Sequence, residues 1–128
     1  MASDDTVSPQ RLLIVEDDAA FARTLVRSFE RRGYQVRHLA GEEGMAALLD
    51  EFAPTHAVVD LKLAGGASGL SSVKHLHAFD PEMVIIVLTG YASIATAVEA
   101  IKLGARHYLA KPSNTDDIEA AFQRAAGD

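Results

Sequence analysis

An α/β fold with a doubly wound, five-stranded parallel sheet, built from a βα unit repeated five times, is what the sequence predicts. Two observations lead there. From Arg11 onward short apolar runs alternate with longer amphipathic segments, the rhythm of strands separated by helices. The runs LLIV, AVV and VIIVL are also apolar on successive residues, as strands are when helices cover both faces of a sheet. Strands are expected at RLLIV (11–15), YQVRHL (34–39), HAVVD (56–60), MVIIVL (83–88) and HYLA (107–110). YQVRHL alternates apolar with polar like an edge strand, so the first, third and fourth strands are expected in the interior.

The helices fill the gaps. Phe21, Leu25 and Phe29 recur at four-residue spacing after Asp18 and end at Gly33, in a C′-like position. Met45, Leu48, Leu49 and Phe52 mark a second helix stopped before Pro54, and both stripes read as core packing. Leu70, Val73, Leu76 and His77 mark a third ending near Asp80-Pro81, Ile94, Val98 and Ile101 a fourth ending at Gly104, and Ile118 and Phe122 a fifth.

Composition bounds the rest. At 128 residues, with 48% hydrophobic and 23% charged residues, the chain suits one soluble globular domain with a core of its own. Residues 1–10 are polar and expected to be disordered, which leaves 11–126 as the domain. The absence of cysteine excludes a disulfide framework, a thiol nucleophile and a thiolate metal site. The start MASDDTVSPQ has neither part of a signal peptide, and no apolar run is long enough to span a bilayer, so a cytoplasmic protein without a membrane partner is expected. A net charge of −6 argues against wrapping nucleic acid unaided, so DNA would be reached only through another domain.

Right-handed crossovers put helices on both sides of such a sheet, and ligands sit beyond the carboxyl ends of its strands. There the sequence is chemically selective. The first strand ends in Glu16-Asp17-Asp18, the third in Asp60, the fourth in Thr89-Gly90 and the fifth in Lys111-Pro112. Crowded carboxylates raise one another's pKa unless a cation intervenes, and a hard divalent ion with oxygen ligands, Mg²⁺ above others, is the natural occupant. Asp60, expected to be exposed and paired with Mg²⁺ and Lys111, could then accept a phosphoryl group as a carboxylate nucleophile, with Thr89 and Lys111 holding its oxygens. Each residue also has a plainer reading. The EDD run could be an N-cap with acids favouring the helix dipole, Asp60 a turn residue, Thr89 a cap and Lys111 a solvated charge. Their joint placement at the ends of four strands is what those separate readings do not predict.

Over residues 11–125 the sequence resembles the receiver domains of two-component response regulators, through LLIVEDD, VVDLKL, VLTG and YLAKP. The resemblance implies a flavodoxin-like, CheY-like fold with strand order 2-1-3-4-5, and a phosphoacceptor rather than a turnover enzyme. It implies Asp60 as phosphoacceptor, with metal held by Glu16, Asp17, Asp60 and the backbone carbonyl of Lys62. Thr89, Lys111 and Tyr108 become the phosphoryl-binding and switch residues, Lys62, Gly90 and Tyr91 tune phosphoryl lifetime, and Lys111-Pro112 is expected to be cis. A sensor histidine kinase is the implied donor. Tyr108 would turn inward as Thr89 moves toward the phosphoryl group, repacking the fourth-helix and fifth-strand face around residues 91–110, a possible homodimer surface. TGYASIATAVEAIKLGARHYLAKPSNTDDIEAAF is similar, more narrowly, to the RegA/PrrA/ActR group of redox-responsive transcriptional regulators. That implies a helix-turn-helix effector domain absent from this chain.

One loop departs from the family pattern. Ala64 stands where proline is usual, and Gly69-Leu70 come one residue late, so LAGGASGL is expected to be longer and more mobile. Other classes fit less well. A phosphohydrolase with an aspartate nucleophile would place its general acid where Lys62 stands, and a flavodoxin-like electron carrier needs a Gly/Ser/Thr turn where EDDAAF stands. A stand-alone or phosphorylation-independent receiver acting by protein contact stays open. The five histidines lack metal-ligand spacing and read as structural or surface residues.

Overall fold

The structure, a computed structural model, describes residues 10–62, 69–90, 94–111 and 113–127. Among them strands and helices alternate throughout. The strands are β1 (Arg11–Val15), β2 (Gln35–Leu39), β3 (His56–Asp60), β4 (Val84–Thr89) and β5 (His107–Ala110). The helices are α1 (Ala19–Arg31), α2 (Met45–Phe52), α3 (Gly69–Phe79), α4 (Ile94–Leu103) and α5 (Thr115–Gly127). All strand pairs are parallel in the order β2-β1-β3-β4-β5, with β1, β3 and β4 interior as expected. β2 begins one residue later than expected, and β4 (84–89) is shifted by one residue at both ends. Tyr34 lies outside β2, its N–H donating to the Phe29 carbonyl at 3.1 Å, and β4 extends through Thr89.

Side-chain alternation splits the core in two. Leu13, Val15, Ala57, Val59, Ile85 and Val87 face α2, α3 and α4, while Leu12, Ile14, Val58, Ile86 and Leu88 face α1 and α5. On the second side Phe29 is fully buried against the edge of Tyr34 and beside Phe122, a burial that contributes about 2–3 kcal/mol. The carboxylate of Asp18 caps α1 by accepting from the Phe21 N–H at 3.1 Å, so the plain N-cap reading holds for the last residue of EDD.

α4 forms where the spacing predicts it, and its apolar stripe faces outward: Ile94 is 57% exposed, and Val98, Ile101 and β5 Tyr108 are exposed with it. Ala97 and Ala100 are the residues buried against the sheet side. α4 closes with the Gly104 N–H bonded to the Ile101 carbonyl and the Ala105 N–H to the Ala100 carbonyl, a Schellman pair with Gly104 at φ +127°. A Cβ on Gly104 would lie 2.5 Å from Cγ and Nδ1 of His77, so glycine is required there by backbone and by packing. No helix among the described residues is long and apolar enough to cross a membrane.

Candidate functional site

The carboxyl ends of β1, β3, β4 and β5 bring together the acids and the lysine that the sequence places there. Carboxylate oxygens of Glu16, Asp17 and Asp60 all lie within 4.8 Å of one another. Lys111 reaches back from the end of β5, its Nζ donating to Asp60 Oδ2 at 3.0 Å and to Glu16 Oε1 at 3.3 Å. Asp60 Oδ1 accepts from the Lys62 N–H at 3.0 Å, and Glu16 Oε2 from the Asp18 N–H at 3.0 Å. Contrary to the expectation of an exposed carboxylate, Asp60 is only 4% exposed. It stands two residues beyond Val58 on the α1–α5 side of the sheet, where the backbone N–H of Lys62 and the ammonium of Lys111 satisfy it.

The electrostatics follow from the crowding. Burial pushes the Glu16 carboxyl up to about 7, and the neighbouring Asp60 charge adds to the rise against the opposing Asp18 N–H and Lys111. Burial works against the charged form of Lys111, but the carboxylates of Asp60 and Glu16 outweigh it and raise its pKa. The Phe21 ring lies beside the cluster, its centroid 5.3 Å from Lys111 Nζ.

Thr89 is buried at the end of β4, its hydroxyl donating to the Gly90 carbonyl at 3.1 Å and its own carbonyl accepting the Lys111 N–H at 2.8 Å. A side chain on Gly90 would meet open space. Lys62 is exposed, Tyr108 half-exposed in β5 beside Val87 of β4. Tyr91, Pro112 with its peptide bond, and most of the unusual loop, including Ala64, lie outside the described residues.

Three contributors escaped the sequence reading. Gly69, the first residue of α3, sits so close to the strand end that a Cβ would collide with the Asp60 carbonyl and lie 2.8 Å from Leu61 Cα. Its N–H donates to the Leu61 carbonyl at 3.0 Å, fixing where the loop returns; the Gly-Leu pair was the visible signal, though not its reason. Phe21 was read only as core. His38, read as a structural or surface residue, contacts the Glu16 carbonyl through Nε2 at 2.6 Å.

A parallel sheet in this order, with an acidic cluster and a lysine at its carboxyl rim, defines the CheY-like class of α/β signalling domains. The chain belongs to the response regulator receiver domain family, whose model matches residues 12–123. It is 44% identical over 128 residues to the acid tolerance regulatory protein ActR of Rhizobium meliloti, covering 99% of this chain and 66% of the relative. The photosynthetic apparatus regulatory protein RegA of Rhodobacter capsulatus is 45% identical over 115 residues, covering 90% and 62%. The chain thus spans a little under two thirds of these relatives' length. Among solved structures, a Burkholderia pseudomallei response regulator with a phosphorylated aspartic acid, calcium ion and citrate superposes with a TM-score of 0.83 at 45% identity, over 92% of this chain and 69% of that one. A CheY-like receiver domain protein from Methanospirillum hungatei superposes at 0.82 with 30% identity, over 94% and 98%.

Proposed function

We propose that this domain accepts a phosphoryl group from a sensor histidine kinase on Asp60, in the cytoplasm, and relays the event to a DNA-binding transcriptional effector domain outside this chain. The observation that carries the reading is the Asp60 carboxylate itself, buried at the rim, held by Lys111 and within 4.8 Å of two further carboxylates. The acids fit a hard divalent cation. They supply oxygen donors only, and a cation would relieve both the burial of the Glu16 carboxylate and the smaller repulsion from Asp60 that raise its pKa. Glu16, Asp17, Asp60 and the backbone carbonyl of Lys62 would hold Mg²⁺, which when bound offsets the charge that gathers on transferring phosphoryl oxygens. The phosphorylated aspartic acid and calcium ion of the Burkholderia pseudomallei relative support the same assignment.

Transfer needs little from the protein beyond placement. A carboxylate oxygen of Asp60 attacks phosphorus, the P–N bond of a phosphohistidine breaks, and its electron pair returns to the imidazole. Lys111, already on Asp60, follows a phosphoryl oxygen, while Thr89 exchanges the Gly90 carbonyl for another. Because the Lys111 N–H is bonded to the Thr89 carbonyl, both groups ride on the same β4–β5 junction. Tyr108 then turns inward, and the exposed face of Ile94, Val98, Ile101 and Tyr108 is repacked for homodimer contact. On the resemblance, Lys62, Gly90 and Tyr91 are assigned the tuning of phosphoryl lifetime. Lys111-Pro112 is assigned a cis bond on the resemblance alone.

The test is intact-mass measurement after incubation with acetyl phosphate and Mg²⁺. The wild type should gain one phosphoryl adduct and Asp60→Asn none; equal adducts on both would defeat the assignment. The exposed apolar face favours one second reading, a receiver acting by protein contact without phosphate. Self-association unaltered by beryllofluoride would select it.

A further inference from the structure

We propose that His38 is a positioning residue for the acidic site, setting the direction in which the backbone presents Asp17. The proposal rests on the reading of Glu16, Asp17 and Asp60 as cation ligands. Glu16 continues the sheet for one residue beyond β1, its N–H donating to the Leu39 carbonyl at 2.9 Å. In an uninterrupted parallel ladder its carbonyl would next accept the backbone N–H of Gly41. β2 ends at Leu39, however, and the imidazole of His38 takes that place, Nε2 lying 2.6 Å from the Glu16 oxygen. A carbonyl can only accept, so Nε2 is the protonated nitrogen.

The Glu16 carbonyl and the Asp17 N–H belong to one rigid peptide plane. Gripped at both N–H and C=O of Glu16, the chain enters Asp17 in a fixed orientation. Asp17 depends on this more than its neighbour does. The Glu16 carboxylate is held directly by the Asp18 N–H and by Lys111, whereas Asp17 is exposed and its carboxylate has no hydrogen bond or ion pair among the described residues. Its place within 4.8 Å of the other two acids therefore comes from the backbone. A side chain on an exposed edge strand thus does the work of a ladder amide at the peptide joining Glu16 to Asp17.

Two variants separate the hydrogen bond from the bulk of the ring. His38→Gln keeps an N–H donor at similar reach, and His38→Leu keeps apolar bulk without it. The readouts are Mg²⁺ affinity by calorimetry, the Asp17 amide resonance of the metal-free ¹⁵N-labelled protein, and the urea midpoint. For His38→Leu we expect Mg²⁺ binding weaker by roughly three- to tenfold, milder than the loss typical of groups that bond a ligand atom directly. Its Asp17 amide should also shift with the urea midpoint little moved, and His38→Gln should recover both signals. Wild-type affinity in His38→Leu would overturn the proposal, as would equal losses in both variants. Failure of the wild type to bind Mg²⁺ would instead overturn the metal reading above, and the ligand-positioning role with it.

Discussion

Replacing Glu16 by glutamine should make the metal-free protein more stable near pH 8 and leave it almost unchanged near pH 5. Glu16 is 2% exposed, and its pKa rises from 4.5 to about 7 on folding, first through burial and then through Asp60. In the unfolded chain the carboxyl loses its proton near the ordinary value; in the folded protein it keeps it until about 7. Between those values the folded state binds more protons, so stability falls as pH rises, its Glu16 contribution full below 4.5 and gone above about 7. At about 1.36 kcal/mol for each pKa unit the wild type loses at most roughly 3 kcal/mol across that window. Glutamine keeps the shape and a carbonyl for the Asp18 N–H but carries no charge. Urea unfolding followed by circular dichroism, in EDTA at intervals from pH 5 to 8, measures the effect as variant minus wild type, which cancels the titrating groups remote from Glu16. The difference should grow with pH, and saturating Mg²⁺ should shrink it by offsetting the ionised carboxylate. A pH-independent difference would show that Glu16 titrates normally, and would remove the crowding argument for a cation.

Other outcomes follow from single features. Burial holds His56 below its ordinary 6.5, so its contribution is present above that pH and lost as pH falls through the folded value; His56→Gln should flatten the acid side of the same urea series. Gly104→Ala should be destabilising, and adding His77→Ala should return the part due to collision, leaving about 1–3 kcal/mol for the backbone at φ +127°, as a double-mutant cycle would read. Gly69→Ala forces α3 away from the Asp60–Leu61 backbone and should lower both stability and acetyl phosphate labelling, whereas labelling at the wild-type rate would refute a tight return at that point. Val98→Ser should change stability by less than about 0.5 kcal/mol while Ala97→Leu costs about 1–3 kcal/mol, because the alanine and not the larger valine is the buried residue.

The strands and the interior place of β1, β3 and β4 were legible because LLIV, AVV and VIIVL leave no polar face to turn outward, while the full strand order came only with the resemblance. The rim was legible because all the carboxyl ends of a parallel sheet lie on one side: Glu16 and Asp60 follow adjacent strands, and the long side chain of Lys111 reaches both from beyond β4. The outward turn of the α4 stripe was not legible: its larger residues form the visible helical pattern, while the buried Ala97 and Ala100 carry almost no hydrophobic signal. The burial of Asp60 was hidden too, since it depends on a lysine fifty-one positions away and on the Lys62 N–H. His38 was beyond pattern reading: its partner is a backbone carbonyl, and no residue type announces that.

The alanine seat of α4 has an energetic corollary. Two methyl groups, with Leu103 partly buried beside them, offer few dispersion contacts compared with the Phe29 and Phe122 side of the sheet. The amides of α4 should then exchange with deuterium by the detachment of that helix alone, at a free energy well below global unfolding, while β4 amides wait for the whole domain to open. A helix so cheaply released is a lever with a low threshold, one that a single new charge at the sheet rim could throw.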